Sequence, residues 1–274
     1  DHNTSIALML HGSWHDADNM FGTTQYDVTQ KNGYAQLMFE TDITENNNIS
    51  LGASLNHDYY DERFNPLGTL PTAESKVTKE TTPGLYAQYT YKLGEWLTVM
   101  PGVRWDHSNL YGSFFTPRLH IKYSPSNMVT LRTSIGKGYR SPHALAENVS
   151  LLASGRQIII DSDLKQEEAW NMGASLGFNI PLFGKNLELN AEYYYTDFKH
   201  QMIMNFDGAR GEHTLSFENL DGKSYSHTFQ VDATYPLLSG MTATAAFRLN
   251  NVKCTYDGVL RLKPLTSRYK GLLT

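Results

Sequence analysis

Apolar and polar residues alternate one for one along most of this chain, a period that only extended strands turn into two separate faces. Leu119, Ile121 and Tyr123 alternate with Arg118, His120 and Lys122; after the Ser- and Pro-bearing turn at 124–127, Leu131, Thr133 and Ile135 alternate with Arg132, Ser134 and Gly136. Leu187, Leu189, Ala191 and Tyr193 alternate with Glu188, Asn190 and Glu192, and Phe229, Val231 and Ala233 with Thr228, Gln230 and Asp232. One face is as apolar as a core and the other as polar as a wetted surface. The pattern predicts an all-β chain built from antiparallel hairpins.

Strands are expected near 4–16, 32–43, 48–60, 83–92, 96–107, 114–123, 128–139, 166–180, 186–206, 214–236, 241–254 and 264–274. The links at 43–48, 92–95, 124–127, 181–186 and 236–240 are tight. The looser links at 17–31, 61–82, 108–113, 140–165, 207–213 and 255–263 fall on the other end of the sheet. A transmembrane barrel sorts its connections in this way, with short turns on one side and longer loops outside the cell; a soluble sandwich has no reason to. This places 61–82 and 140–165 outside the cell.

No apolar run approaches the ~18 residues of a spanning helix, and the mean hydropathy of -0.44 suits strands that show only one side to lipid. The net charge of -5 argues against a nucleic-acid binder. Cys254 is the only cysteine, so no internal disulfide or paired-thiolate metal site can form. The start at Asp1 lacks a basic leader and enters a strand at once. Trp14, Tyr59, Tyr91, Trp96, Trp105, Tyr123, Trp170 and Tyr235 lie near strand ends, as an aromatic girdle requires. Pro101 cannot donate to a ladder, so a bulge with Gly102 is expected there.

No catalytic set is evident. Glu167 and Glu168 are adjacent, and on a strand they point to opposite faces. His143 and Glu147 have helical spacing, but as a metal pair they are outweighed by a place in an outer loop. His200, Met202 and Met204 share one face and offer soft ligands, although a place on the upper barrel wall is the stronger reading. The run 147–161 is too ragged for a surface helix, and no phosphate loop accompanies Gly136, Gly138 or Gly155.

The stretch FTPRLHIKYSPSNMVTLRTSIGKGYRSPHALAEN, followed by EEAWNMGASLGFNI, ELNAEYYYTDFKHQM, FENLDGKSYSHTFQVDATYPLLSG and RLKPLTSRYKGLL, resembles successive strands of TonB-dependent outer-membrane receptors, those of the Bacteroidetes type in particular. The resemblance implies an antiparallel up-and-down transmembrane β-barrel of 22 strands, of which about twelve, the seventh through eighteenth, lie within 1–274. It implies a barrel portion without the plug domain and the closing strands, placed in the outer membrane of a Gram-negative cell.

The function implied is active import of a scarce nutrient (a corrinoid, haem, siderophore or other chelate) with energy passed from the TonB complex through the plug region. Its partners would be that complex, outer-membrane lipid, the nutrient and a surface lipoprotein, with no nucleic acid, resident cofactor or structural metal. Ligand contact is expected from Tyr59, Tyr60, His107, Tyr111, Arg140 and His143 on the outer loops. The alternatives are a passive porin- or adhesin-type barrel and an outer-membrane barrel hydrolase.

Overall fold

The computed structural model describes residues 3–66, 74–208, 210–238 and 240–274. Eleven long strands follow one another as antiparallel neighbours in a single curved sheet. These are β1 (Thr4–Phe21), β2 (Thr24–Thr44), β3 (Asn47–Asn65), β4 (Glu74–Leu93), β5 (Leu97–Ser108), β6 (Gly112–Ser126), β7 (Val129–Arg140), β9 (Glu167–Leu182), β10 (Lys185–Lys199), β13 (Ser224–Leu238) and β14 (Met241–Tyr256). Two short strands, β15 (Val259–Leu262) and β16 (Tyr269–Leu273), both pair with β14 and together trace a twelfth, interrupted at 263–268. A second, three-stranded sheet combines β8 (Gln157–Ile160), β11 (Met202–Phe206) and β12 (Thr214–Asn219). The all-β barrel class expected from the sequence is the observed one.

Register explains the alternation. Leu119 pairs with Pro101 on one side and Ile135 on the other, and Ile135 with Met172, so the apolar residues form rows across the sheet. Lys122, Arg132 and Ser175 form a row on the opposite, concave face. The convex face is open to its surroundings: Leu10 is 72% exposed and Trp14 73%. So large an apolar band suits lipid rather than water. On the concave face, the Tyr194 ring lies over bare backbone at Gly173, where a Cβ would come within 2.3 Å of it.

Several boundaries differ from expectation. The link 17–31 is not a loop, because β1 and β2 stay paired up to Phe21 and Thr24. β3 and β4 likewise extend through much of 61–82, and residues 67–73, including Gly68, lie outside those described. Extension of the ladder satisfies backbone groups even where no lipid demands it. The expected strand 186–206 divides into β10 and β11, and 214–236 into β12 and β13, with both short pieces leaving the main sheet. The loose link 255–263 is a turn at 257–258 leading into β15. No bulge forms at Pro101. Gln88 pairs with Gly102 and Tyr91 with Val99, so the register is unchanged across the proline and the ladder only lacks pairs there. A missing N–H removes one donor without requiring an extra residue.

Candidate functional site

At the end of the sheet opposite the tight turns, β2–β5 rise above the apolar rows and their concave side becomes densely polar. Asn56, Asp58, Tyr60 and Glu62 are alternate residues of β3 and so share this face. Paired positions on β4 add Glu80 and Thr82, and β5 adds Arg104, Asp106 and Ser108. The side chains are tightly interlocked. Arg104 donates to both oxygens of Asp106 at 2.6 and 2.7 Å and to Ser54 Oγ at 2.6 Å. Glu80 Oε1 accepts from Ser108 at 2.6 Å and Ser141 at 3.1 Å. Asp58 accepts from Asn32 at 2.7 Å and Asn56 at 2.5 Å, and Glu62 from the buried Tyr26 hydroxyl at 2.7 Å.

A cap closes over this wall. It consists of residues 141–166 and 200–223, joined where β12 pairs in parallel with β8 and antiparallel with β11. A 3-10 turn at Val149–Ser154 ends on Gly155 in the left-handed conformation, φ 66°. Leu152, Met202, Leu215 and Phe217 form the cap's interior and pack, with Ala144 and Leu145, against Tyr26, Val28 and Tyr60 of the wall. Met202 and Met204 therefore belong to an apolar core rather than the upper wall, and His200 sits at the bend that leaves β10, with φ 52°. The run 147–161 supplies both the 3-10 turn and β8. Arg156 pairs with Asp207 at 2.6 Å and Arg210 with Asp161 at 2.6 Å, tying the two cap segments together, and Arg210 also reaches Glu218 of its own segment at 3.4 Å.

The seam between cap and wall holds a cavity of about 460 Å³, lined by Tyr60, Asp58, Glu80, Arg140, His143 and Glu147 among others. His143 stacks on Tyr60 with ring centres 3.8 Å apart and planes 21° from parallel. Burial lowers the His143 pKa, with Glu147, Glu62, Glu80 and Asp58 opposing that shift. Arg140 binds Glu147 at 3.0 Å and Glu167 at 2.5 Å. Glu167 also accepts from the Met202 backbone N–H at 2.8 Å, linking β7, β9 and the cap. A neighbouring cavity of about 440 Å³ is lined by Tyr111, His143, Glu62 and Glu80. The Tyr111 phenol is pushed up in pKa by burial and by Glu80. Among the described residues, no group of three or more His, Cys, Asp or Glu side chains is arranged to hold a metal ion.

Of the six residues picked from sequence, Tyr60, Arg140 and His143 meet in one cavity and Tyr111 lines the next. Tyr59 and His107 are on the other face. Tyr59 lies between Lys31 and Lys79, 5.5 and 5.7 Å from its ring centre, and His107 bonds Ser113 at 2.8 Å beside Trp105. Asp58, Glu80, Arg104, Glu147 and Glu167 were not singled out as ligand contacts. The signal for the first two was present: Asp58 shares parity with Tyr60, and Glu80 is the paired partner of Asp58 on β4. Glu80 was lost by starting its strand at 83.

A lipid-facing band, a polar concave wall and a capped mouth define part of a transmembrane barrel of the receptor type. The chain belongs to the TonB dependent receptor-like, beta-barrel family, whose model matches residues 3–269; it is an outer-membrane protein of the Gram-negative kind. It is 26% identical over 122 residues to the Ferrienterobactin receptor of Escherichia coli, covering 40% of this chain and 16% of that protein. It is 29% identical over 72 residues to the Ferric enterobactin receptor of Pseudomonas aeruginosa, covering 26% of this chain and 10% of that protein. The same fold is seen in the siderophore receptor PirA from Pseudomonas aeruginosa, with a TM-score of 0.60 and 15% identity over 92% of this chain and 53% of that one. It is seen again in the copper transporter OprC, at 0.65 and 12% over 92% and 43%. The chain thus spans about half or less of these solved structures.

Proposed function

We propose that residues 1–274 form the mouth-bearing part of an importer that captures a scarce chelate (a siderophore, haem, corrinoid or other metal complex) and draws it inward with TonB-transmitted energy. The observation that carries this reading is the capped seam, where Tyr60, Arg140 and His143 line a cavity of about 460 Å³ between cap and wall. An aromatic stack beside fixed charges suits a flat or ring-bearing ligand. The receptor names of the sequence relatives support transport rather than catalysis. Tyr111 is a second contact, from the adjoining cavity; Tyr59 and His107, on the convex face, are proposed to act only through the rim. The nutrient, the TonB complex, membrane lipid and a surface lipoprotein are the partners, with no nucleic acid. The portion lies within a larger barrel whose plug is supplied outside these residues, and 140–165 faces the exterior.

The test is replacement of 146–162 by a short Gly-Ser linker in the full receptor. Nutrient binding and uptake are expected to be lost while the barrel still inserts, since β7 and β9 remain paired from Val129 to Arg140. Unchanged uptake would overturn the assignment. An epitope tag at Ser154 is expected to be reached by antibody on intact cells and one at Asn127 to be hidden.

A further inference from the structure

The cavity between cap and wall holds more negative charge than its cations answer. Asp58, Glu80 and Glu147 line it together with Arg104 and Arg140. Both guanidiniums are already engaged. Arg104 donates to both oxygens of the fully buried Asp106, and Arg140 reaches Glu167 at 2.5 Å as well as Glu147 at 3.0 Å. With Asp106 and Glu167 included, five carboxylates stand against two guanidiniums. Lys76 pairs with Glu62 in the ladder and lines the adjoining cavity, not this one. His143 adds no charge at neutral pH, because burial lowers its pKa below the ordinary 6.5. Tyr60 registers the excess: its pKa is pushed up to about 12 by burial and then by Asp58, Glu147, Glu62 and Glu80.

Two of these carboxylates are set directly opposite each other. Asp58 of β3 pairs with Glu80 of β4, a like-charge placement that destabilises a ladder. Their hydrogen bonds come from neutral donors, Asn32 and Asn56 for Asp58, Ser108 and Ser141 for Glu80. Glu80 is only 6% exposed, and both of its bonds end on Oε1. Oε2 receives none among the described residues and is not sealed off, so it opens on the cavities that Glu80 lines. A carboxylate oxygen so nearly buried is costly to leave unmatched, and a charged donor offsets that cost best. The Tyr60–His143 stack lines the same space and offers an aromatic face, which also attracts a cation. An anion entering here would meet repulsion with both guanidiniums already taken.

Resting on the reading of this cavity as the capture site, we infer that it takes its ligand by a cationic group, a protonated amine or guanidinium, held between Asp58 and Glu80 beside the Tyr60–His143 stack. The chelate it selects carries a positively charged arm, and chelates with an anionic outer surface are rejected.

The probes are ferric trihydroxamate complexes that differ only at the end of one arm: a free primary amine, its N-acetyl amide or its N-succinyl amide. They are cationic, neutral and anionic in that order. Binding to the purified full-length receptor is read by titration calorimetry. Affinity is expected to fall along the series, by about tenfold or more from amine to acetyl. Glu80→Gln keeps an acceptor oxygen for Ser108 and Ser141 but removes the charge. It is expected to bring the amine complex down to the acetyl level and to leave the acetyl complex unchanged. Asp58→Asn is expected to weaken the amine complex alone, and heat resistance of the barrel is checked for both variants. Equal affinity of amine and acetyl, tighter binding of succinyl, or an amine preference untouched by both variants would overturn the inference. So would failure of every probe to bind at millimolar concentration. The capture reading is judged separately, by nutrient uptake in the 146–162 replacement: uptake lost there with no preference for charge sinks the inference alone, and uptake unchanged sinks the reading beneath it.

Discussion

The two flanks of the mouth reach the same height by different means. On one side β1–β4, of 18, 21, 19 and 20 residues, continue as a paired ladder far past the ~9–11 residues that a membrane crossing needs. On the other, β7 stops at Arg140, and the chain leaves the sheet to build the cap before β9 begins at Glu167. The first flank is held by main-chain hydrogen bonds that any alternating sequence can make. The second is held by a small apolar core and three ion pairs within the cap. A ladder resists local opening along its whole length, whereas a packed loop opens when its core is lost. The more readily opened partner in the proposed ligand capture is therefore expected to be the cap, set against a stiff wall.

The largest effect should come from the cap's core. Phe217 is fully buried, and Phe217→Ala is expected to cost about 3–5 kcal/mol. In the intact receptor, hydrogen exchange should rise in 141–166 and 200–223 and stay low in β1–β4; a rise confined to β1–β4 would reverse the comparison.

Leu189→Arg, placed in the lipid-facing row with Phe178 and Ala233, should cost about 2–4 kcal/mol near the bilayer midplane. Both flanks stand on this common wall, so global unfolding in lipid vesicles should shift while the difference in exchange between cap and ladder is preserved.

Tyr26→Phe removes the buried donor to Glu62. Leaving that carboxylate without its partner should cost about 1–3 kcal/mol, read as a lower midpoint of urea unfolding. This tests the ladder flank where side-chain bonds supplement its main chain.

The smallest effect concerns pH. Burial depresses the His143 pKa below its ordinary value of 6.5, so the folded state binds this proton less readily than the opened cap does. The stabilisation is present above pH ~6.5 and is lost as pH falls from there through the lowered folded value. Proteolysis of the cap should quicken between pH 7.5 and 5 in the native receptor, and this dependence should flatten in His143→Phe.

Much of the wall was readable in advance. That Leu119 and Ile135 share one face and Lys122 and Arg132 the other follows from alternation, although their exact pairing is set by a register shift between Tyr123 and Ser126. The cap was not readable, because Met202–Phe206 and Thr214–Asn219 carry the same alternation as the wall strands beside them and merged with β10 and β13. The mouth site was half readable: Tyr60, Arg140 and His143 stood out as aromatic or charged residues near strand ends, but Tyr59 was grouped with them although it shares the apolar parity of Leu51 and Leu55.

Residue order alone determined that this chain forms strands, which residues share a face, and that one face needs lipid, since a period of two has only one extended solution. Tertiary structure decided where strands end, which pieces leave the sheet and which charges meet. Those outcomes turn on contacts between residues far apart in the chain, such as Arg140 with Glu167 and Tyr60 with His143. A local pattern carries no information about which distant partner will be there to satisfy it.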